Sequence, residues 1–342
     1  MNSSRVAIVI LNWNGRKLLE QYLPSVIQYS QEDRVEIIVA DNQSDDESIS
    51  FLRENFPQVK ILQLDQNYGF SKGYNLALQQ IEATYYILLN SDVEVTPNWI
   101  NPLIELMERD KTVAAVQPKV LSWHRKNEFE YAGAAGGFID KLGYPFCRGR
   151  ILNVVEKDEG QFDQVTNIFW ATGACMAIRA EYFHQTGGFD ADFWAHMEEI
   201  DLCWRLKNRG YKILFTPFSK VYHLGGGSLS YDNPKKLFLN FRNSLWLLYK
   251  NLPRHKFYKV IVVRMLLDGV AAFKLLSEGN VNGFTSVIRA HWAFYRSHQR
   301  IRHKREALKK IATPIWPDEV LCKSIIWKFY LEGKKTFREV EQ

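Results

Sequence analysis

Cysteine is scarce in this chain, and its placement predicts neither a disulfide framework nor a zinc site. The four cysteines are spread widely over the 342 residues, at Cys147, Cys175, Cys203 and Cys322. Disulfide-rich domains and zinc sites both place cysteines at short, recurring spacings. We therefore expect a reduced, intracellular compartment. The 46 % apolar composition is ample for a substantial hydrophobic core.

The sequence also lacks any segment typical of secretion or of a membrane span. Its N-terminus has neither the basic region nor the small-residue cleavage site of a signal peptide. The most apolar stretch, residues 260–276, contains Arg264, Asp268 and Lys274. Charged side chains are rare within membrane-spanning helices. These absences favour a cytoplasmic protein.

A third absence concerns dinucleotide binding. The first apolar stretch, residues 6–11, is followed by Asn12, Trp13, Asn14 and Gly15. Rossmann domains that bind NAD or FAD carry G-x-G-x-x-G at this point, so the sequence argues strongly against those cofactors. A sugar nucleotidyltransferase would need a glycine-rich, basic triphosphate loop there, and it is disfavoured for the same reason.

What the first half does contain is an alternation of strand and helix patterns. Apolar runs typical of strands occupy residues 6–11, 35–40, 59–64 and 85–89. Apolar residues recur at helical spacing in the segments 18–27 and 74–81. A capping-box pattern at residues 44–47 and the pair Thr96-Pro97 indicate two further helix starts. This alternation predicts an α/β fold with a mainly parallel sheet.

The C-terminal third is mainly helical by pattern, and it is strongly basic near its centre. Helix candidates lie at residues 237–250, 260–276 and 285–310. Residues 289–310 are dense in Arg and Lys and contain one acid, Glu306. Such a basic, aromatic segment is typical of contact with an anionic surface such as a membrane leaflet. The alternative is a solvated helix packed on the preceding domain. Nucleic acid is not expected, because no recognised binding motif accompanies the charge.

Acidic residues follow two of the predicted strands. Asp41 comes after the second strand and Asp92 after the fourth. Ligands of open α/β sheets collect at the carboxyl ends of the strands, and hard cations such as Mg²⁺ prefer carboxylate oxygens. Each aspartate has a simpler alternative as a turn residue. Asn67, in the loop before the third helix, is likewise either a nucleotide contact or a helix cap.

Two motifs in the second half also carry chemical groups. Glu198 and Glu199 open a predicted helix, where they serve either as a base toward a hydroxyl or simply as acids at the positive helix end. Asp201 and Arg205 in that helix have the spacing of an ordinary ion pair. His223 lies at a strand end before three glycines, and it is either a metal ligand or a buried, hydrogen-bonded histidine.

Taken in order, these features resemble the family 2 glycosyltransferases of the GT-A fold. The residues that carry the resemblance are Ile8 to Asn14, Asp41, Asn90-Ser91-Asp92, Gly173, Glu198 to Arg205, and His223. They span roughly residues 5 to 250, and their order is more specific than any one of them. Within that family the pattern is similar to bacterial rhamnosyltransferase-like enzymes of surface-polysaccharide assembly.

The resemblance implies a role for each matching residue. Nucleotide contacts would come from Asn12, Asn14, Asp41, Asn67 and Ser91. Asp92 and His223 would hold a divalent cation, Mg²⁺ or Mn²⁺. Glu199 would be the general base, with Glu198 as the other candidate. Trp170, Gly173 and Trp194 would line the acceptor side.

By the same resemblance, residues 1–235 would be a GT-A catalytic domain and residues 236–342 a helical extension that contacts the membrane. In the catalytic domain, residues 1–120 would bind nucleotide and residues 121–235 acceptor. The enzyme would transfer a sugar, with inversion, from a UDP- or dTDP-sugar to a hydroxyl of a glycan or a lipid-linked glycan. It would work in the cytoplasm, at the inner face of the membrane.

Two residues depart from the family pattern. Asn90 replaces the first aspartate of the metal motif, and Glu199 stands where aspartate is common. Both acids have similar pKa values, so Glu199 can still act as a base. The departures leave open a non-catalytic binding or scaffold protein of the same fold.

Overall fold

The computed structural model describes residues 4–225 and 233–342. Its strands run in chain order as β1 (Val6–Asn12), β2 (Val35–Asp41), β3 (Lys60–Gln63), β4 (Tyr85–Leu89), β5 (Val93–Val95), β6 (Val113–Ser122), β7 (Gly137–Asp140), β8 (Pro145–Cys147), β9 (Arg150–Ile151), β10 (Val154–Val155), β11 (Thr166–Asn167), β12 (Cys175–Arg179), β13 (Lys212–His223) and β14 (Val320–Leu321).

The helices of the described residues surround these strands and fill the C-terminal third. They are α1 (Arg16–Gln28), α2 (Ser48–Asn55), α3 (Gly69–Leu78), α4 (Asn101–Arg109), α5 (Ala180–Gln185), α6 (Glu198–Asn208), α7 (Pro234–Asn251), α8 (Arg254–Ser277), α9 (Val281–Arg296), α10 (His298–Ile311), α11 (Ile325–Tyr330) and α12 (Phe337–Glu341). Within the described ranges, no helix combines the length and apolar character that crossing a bilayer requires.

One large mixed sheet organises the chain. Its strand order is β11-β13-β6-β12-β4-β1-β2-β3, and β5 pairs with β13. Residues of β1 alternate between two hydrophobic cores: Ala7 and Val9 enter one, and Val6 and Ile8 enter the other. The sheet is therefore buried on both faces, which is why its central strands are continuous apolar runs.

The sheet is parallel where the sequence predicts it and mixed elsewhere. Strands β4, β1, β2 and β3 are parallel neighbours, so their carboxyl ends meet at one edge. Strand β12 is antiparallel to both β4 and β6. A second, smaller sheet has the order β10-β9-β8-β7-β14, and its hairpins occupy the glycine-rich region after residue 133. The predicted α/β fold with a helical C-terminal region is confirmed.

Two predicted helix starts are wrong. The helix after β2 begins at Ser48, because the Ser44 hydroxyl bonds to Asp41 rather than capping a helix at residues 44–47. The helix after β5 begins at Asn101, and the Thr96 hydroxyl instead donates to the carbonyl of Lys220. The first capping pattern is overridden by a hydrogen bond to the end of the preceding strand, and the second by a hydrogen bond to a distant strand.

The third C-terminal helix candidate is two helices, α9 and α10, separated at Ser297. The Ser297 hydroxyl donates to the carbonyls of Ala293 and Phe294 and accepts from the indole N–H of Trp246 on α7. Helix α7 packs against α9, α8 and α10, so it is the central element of this helical region.

Candidate active site

Asp92 and His223 are brought together by strand pairing. Asp92 follows β4, and the short strand β5 then runs antiparallel to the end of β13, with Val93 opposite His223. The backbone N–H of Leu224 donates to the carbonyl of Asp92 at 3.0 Å. As a result, Nε2 of His223 lies 3.2 Å from Oδ1 of Asp92. The two residues predicted to bind metal are therefore in direct contact.

Glu130 completes this group, and the sequence analysis missed it. Its Oε2 lies 3.4 Å from Nδ1 of His223, on the other side of the ring from Asp92. Its backbone N–H donates to the carbonyl of Val120, so it pairs with β6 beside the end of β13. Its side chain is buried. The irregular, glycine-rich sequence around it gives no periodicity from which this position could be predicted.

The charges of the three side chains influence one another. Burial would lower the pKa of His223, but the carboxylates of Glu130 and Asp92 outweigh it and raise that pKa to about 10. Burial would raise the pKa of Asp92, yet His223 keeps it below the usual range. The three side chains thus form an array in which the His223 ring lies between two acidic side chains.

The donor atoms of Asp92 and His223 fit a divalent cation that the substrate helps to hold. Two neighbouring ligand atoms of an octahedral Mg²⁺ lie about 3 Å apart, close to the observed Oδ1–Nε2 separation. In the described part of the chain, no three His, Cys, Asp or Glu residues are grouped to hold a metal by themselves. Magnesium sites of nucleotide enzymes commonly use one or two protein ligands together with substrate phosphates. Two donors at a strand end match that pattern.

Asn12 and Asp41 lie side by side at the carboxyl ends of β1 and β2. The Asn12 amide donates to Oδ1 of Asp41 at 3.1 Å. Asp41 also accepts from both the backbone N–H and the hydroxyl of Ser44, which is the turn arrangement expected as its alternative role. Oδ1 of Asn12 is buried and has no hydrogen-bond partner among the described residues. That orphaned acceptor marks a place for a donor from a ligand.

The other predicted nucleotide contacts surround this pair. Asn14 has a left-handed backbone (φ 51°), and its side chain bonds to Asp45. Ser91 precedes Asp92 and is half-buried. Asn67 lies one loop away, where its side-chain oxygen accepts from the backbone N–H of Gly69 at 2.9 Å and from the amide of Asn42 at 3.1 Å. The structure gathers Asn12, Asn14 and Asp41 closely, whereas Asn67 has a structural task already.

The predicted base lies at the start of α6. Burial raises the pKa of Glu199 to about 7, and burial with the adjacent Glu199 charge raises that of Glu198 well above its usual range. Among the described residues, Oε2 of each glutamate lacks a hydrogen-bond partner. Glu198 is the more buried of the two. Because burial and the adjacent charge raise the pKa of Glu198 strongly, Glu199 is the better candidate for an ionised base.

The loop leading into α6 is conformationally strained. Trp194, His196 and Met197 have positive φ values of 65°, 68° and 72°, which side chains other than glycine rarely adopt. Asn243 of α7 holds this loop, because its amide donates to the carbonyls of Phe193, Ala195 and His196 at 3.0, 2.9 and 2.8 Å. Such strain persists where surrounding contacts enforce it, and it concentrates at functional sites.

Trp194 and Gly173 both adjoin the first turn of α3. The carbonyl of Trp194 accepts from the backbone N–H groups of Phe70 and Ser71, and its ring lies so close to Gly69 that a Cβ there would come within 2.7 Å. A Cβ at Gly173 would lie 3.2 Å from the Phe70 ring. Trp194 remains partly exposed. Two of the predicted acceptor residues thus share one region.

Trp170 is placed differently. It is buried against Gly137, and its indole N–H donates to the carbonyl of Phe138 at 3.0 Å. The structure gives Trp170 a packing role, and its predicted contact with an acceptor gains no support.

Asp201 and Arg205 form the predicted ion pair, 2.8 Å apart, in a fully buried setting. Arg205 also donates to the carbonyls of Thr186 and Gly188. Lys250 of α7 lies 2.9 Å from the other oxygen of Asp201. These bonds fix α6 against the preceding loop and α7, so the second half of this motif is structural.

Known proteins are similar to this chain in sequence and in fold. The chain is 25 % identical over 266 residues to the N-acetylglucosaminyl-diphospho-decaprenol L-rhamnosyltransferase of Mycobacterium tuberculosis, covering 70 % of this chain and 85 % of the relative. It is 23 % identical over 221 residues to the rhamnosyltransferase WbbL of Escherichia coli, covering 58 % of this chain and 81 % of the relative.

Solved structures agree in fold. Staphylococcus aureus TarS 1-349 superposes with a TM-score of 0.54 at 14 % identity, over 90 % of this chain and 91 % of that one. GalNAc-T7 with UDP, GalNAc and Mn²⁺ gives a TM-score of 0.52 at 20 % identity, over 64 % of this chain and 43 % of that one. The fold is therefore GT-A. The family pattern of Glycosyl transferase family 2 matches residues 7–187, more than half of the chain, and the protein belongs to this family of glycosyltransferases.

Proposed function

We propose that this protein is an inverting, metal-dependent glycosyltransferase that moves a sugar from a nucleoside diphosphate to a hydroxyl in cell-surface polysaccharide assembly. The observation that carries the proposal is the contact between Oδ1 of Asp92 and Nε2 of His223 at the carboxyl edge of the sheet. The donor would be a UDP- or dTDP-sugar, and the two relatives named rhamnosyltransferases support sugar transfer as the reaction.

A divalent cation, Mg²⁺ or Mn²⁺, bound by Asp92 and His223 would neutralise charge on the departing nucleoside diphosphate. The carboxylate of Glu130 lies 3.4 Å from the far nitrogen of the imidazole, where its charge favours the ring orientation that directs Nε2 at Asp92. Asn90, in place of a second carboxylate, leaves Asp92 as the acid that follows this strand. GalNAc-T7, a protein of the same fold, was solved with Mn²⁺, which supports the choice of cation.

Donor nucleotide binds at the edge formed by β1 and β2. Asn12 offers its unpartnered Oδ1, with Asn14, Asp41 and Ser91 close by. Glu199 removes the proton of the acceptor hydroxyl as that oxygen attacks the anomeric carbon. One displacement at that carbon inverts its configuration. Residues 1–120 and 121–235 then supply the donor and acceptor halves.

The acceptor is a glycan or a lipid-linked glycan that reaches Glu199 past Trp194. The name of the mycobacterial relative specifies a diphospho-decaprenol acceptor, which supports the lipid-linked form. A lipid-linked acceptor requires the enzyme to work at a membrane, and we place it at the inner face of the cytoplasmic membrane.

Purified protein incubated with dTDP- or UDP-sugars, Mn²⁺ and an acceptor tests this function. We expect Asp92→Ala and Glu199→Gln each to abolish transfer while the variants remain folded. Glu105→Gln is a matched control, because Glu105 is an exposed acid paired with Arg109 on α4. Wild-type transfer rates in either site variant would refute the assigned roles.

The replacement of an acid by Asn90 in the metal motif suggests a second candidate function. A protein that binds a sugar nucleotide with metal but neither transfers nor hydrolyses it would be a non-catalytic binding module. Isothermal titration of nucleotide and metal, run beside the transfer assay, distinguishes this from an active enzyme.

A further inference from the structure

Helix α8 exposes a continuous apolar stripe. Tyr258, Val262, Leu266, Val270 and Phe273 recur three or four residues apart and are 55–77 % exposed. Residues at this spacing share one face of a helix. Its opposite face, which includes Val260 and Ala272, is buried against the protein. Monomeric soluble proteins rarely leave so much contiguous apolar surface uncovered.

The stripe continues onto neighbouring helices. Helix α9 exposes Ile288, Trp292 and Tyr295, and the Tyr295 hydroxyl lies 3.9 Å from the sulfur of Met265 on α8. At the far end of α8, Lys274 Nζ lies 5.7 Å from the centre of the Tyr330 ring of α11. We call the exposed apolar residues of α8 and α9 the apolar face. Trp and Tyr at its borders are the side chains that favour a membrane–water interface.

Positive charge surrounds the apolar face. Between residues 254 and 302, all of them described, Glu278 is the one exposed acid, and it lies 3.6 Å from Lys274. The other acid, Asp268, is buried between Arg264 and His291. The exposed bases of this stretch include Lys259, Lys274, Arg289, Arg296 and Arg302. An apolar face with a basic border matches the chemistry of an anionic lipid surface.

The same charges disfavour a second copy of the chain as the partner. A two-fold contact between two apolar faces would bring their positive borders together. Within residues 254–302, the exposed acid that could offset that repulsion is Glu278, which Lys274 already engages.

Helix α10 is densest in Lys and Arg, yet two of its central basic side chains bond to the body of the protein. Lys304 bonds to Asp190 and Asp192, and Arg305 donates to the carbonyls of Tyr249 and Leu252. These cations hold α10 against the body of the protein.

We propose that the apolar face of α8 and α9 inserts into the interfacial region of an anionic lipid leaflet. Helix α7 separates this face from the strained loop before α6, because it packs on α8 and α9 and holds that loop through Asn243. Packed helices lie about 8–10 Å apart, so docking puts the acceptor side close to the lipid surface. That docking would bring the enzyme to a lipid-linked acceptor rests on the proposed function, whereas docking to the leaflet does not.

Vesicle flotation of the full chain tests the proposal. We expect it to float with phosphatidylcholine–phosphatidylglycerol vesicles at low salt, less at high salt, and less with phosphatidylcholine alone. The double variant Leu266→Glu/Val270→Glu should reduce the bound fraction at least about ten-fold, since each charge replaces an inserted apolar side chain. Phe218→Glu is the control, because Phe218 is an equally exposed apolar residue on β13.

The catalytic variant Asp92→Ala should float like the wild type, which separates docking from turnover. Circular dichroism of the double variant checks that it is folded. Docking is refuted if wild-type protein stays unbound, or if the double variant floats as well as the Phe218 control. It is equally refuted if sedimentation shows a dimer that the double variant disrupts and vesicles do not bind.

Discussion

Glu130 and Asp92 bind opposite nitrogens of the same imidazole, that of His223. The two contacts measure 3.4 and 3.2 Å. A histidine that ligates metal commonly donates its other N–H to a carboxylate, which fixes its tautomer and orientation. In the proposed function, Glu130 would therefore be a positioning residue that acts on the cation through His223.

The first prediction concerns the contact between Glu130 and His223. Glu130→Gln should weaken Mn²⁺ binding about 10- to 100-fold, because the neutral amide no longer fixes the tautomer that directs Nε2 at Asp92. Titration of Mn²⁺ followed by electron paramagnetic resonance measures the affinity without requiring turnover. Glu128→Gln is the control, since Glu128 pairs with the exposed Arg125 instead. Equal Mn²⁺ affinity in the two variants would contradict the role of Glu130.

The second prediction follows from the pKa of Glu199, which burial raises to about 7. A general base acts in its ionised form, and the ionised fraction falls as pH drops below the pKa. The kcat/KM should therefore fall about ten-fold for each pH unit below 7 and level off above it. Initial rates across pH, at saturating metal, measure this profile.

Two variants make the pH profile specific. Glu199→Asp should retain a residual rate with a similar upward dependence on pH, because a carboxylate remains. Glu198→Gln replaces a carboxyl group that burial keeps protonated with a neutral amide of similar size, and it should leave most of the activity. Should Glu198→Gln abolish transfer while Glu199→Gln does not, the two roles are reversed.

The sequence predicted the parallel half of the sheet well. Its central strands are buried on both faces, so each is a short apolar run bounded by polar residues, as in Tyr85–Leu89 before Asn90. The ends of those strands carried Asn12, Asp41 and Asp92, whose proximity follows from parallel order alone. His223 stood out as a possible metal ligand, but its contact with Asp92 could not be predicted, because it depends on antiparallel pairing between β5 and β13.

What the sequence could not predict depends on long-range contacts. Glu130 reaches His223 through an irregular segment folded along β6, and Asn243 reaches the α6 loop from a separate helix. Neither belongs to a periodic pattern or a short motif. The basic run at residues 289–310 predicted an anionic partner for that whole segment, whereas Lys304 and Arg305 in its α10 part are engaged within the protein. The division of the chain at residue 235 stays a prediction.

The third prediction tests the loop that Asn243 holds. Asn243→Ala removes the amide that donates to three backbone carbonyls. The carbonyl of Phe193 keeps the N–H of Ala195 as a donor, whereas a carbonyl left buried without any donor costs about 1–3 kcal/mol. The strained residues Trp194, His196 and Met197 should then relax and displace Glu199. We expect kcat to fall by about two orders of magnitude, since a displacement of about 1 Å of a catalytic group has effects of that size.

Steady-state kinetics and thermal unfolding together measure this effect. Asn240→Ala is the control, because it makes the same truncation one turn earlier on α7 at a half-buried position. Unchanged kcat in Asn243→Ala, with a lower Tm, would show that Asn243 stabilises the fold without positioning Glu199.

The fourth prediction concerns Trp13, which is 57 % exposed between Asn12 and Asn14 at the carboxyl edge of β1. A large aromatic ring left open beside an unpartnered Asn12 oxygen is suited to stack on a nucleobase. Stacking of a base on an aromatic side chain contributes about 1–3 kcal/mol. Trp13→Ala should therefore raise the KM for the donor about 5- to 100-fold with little change in kcat, whereas Trp13→Phe should keep most of the affinity.

Competition by free UDP and dTDP measures the same contact directly. The inhibition constants of both nucleotides should rise in Trp13→Ala in parallel with its KM for the donor. If the KM for the acceptor rises instead, Trp13 belongs to the acceptor side and the nucleobase lies elsewhere along the edge.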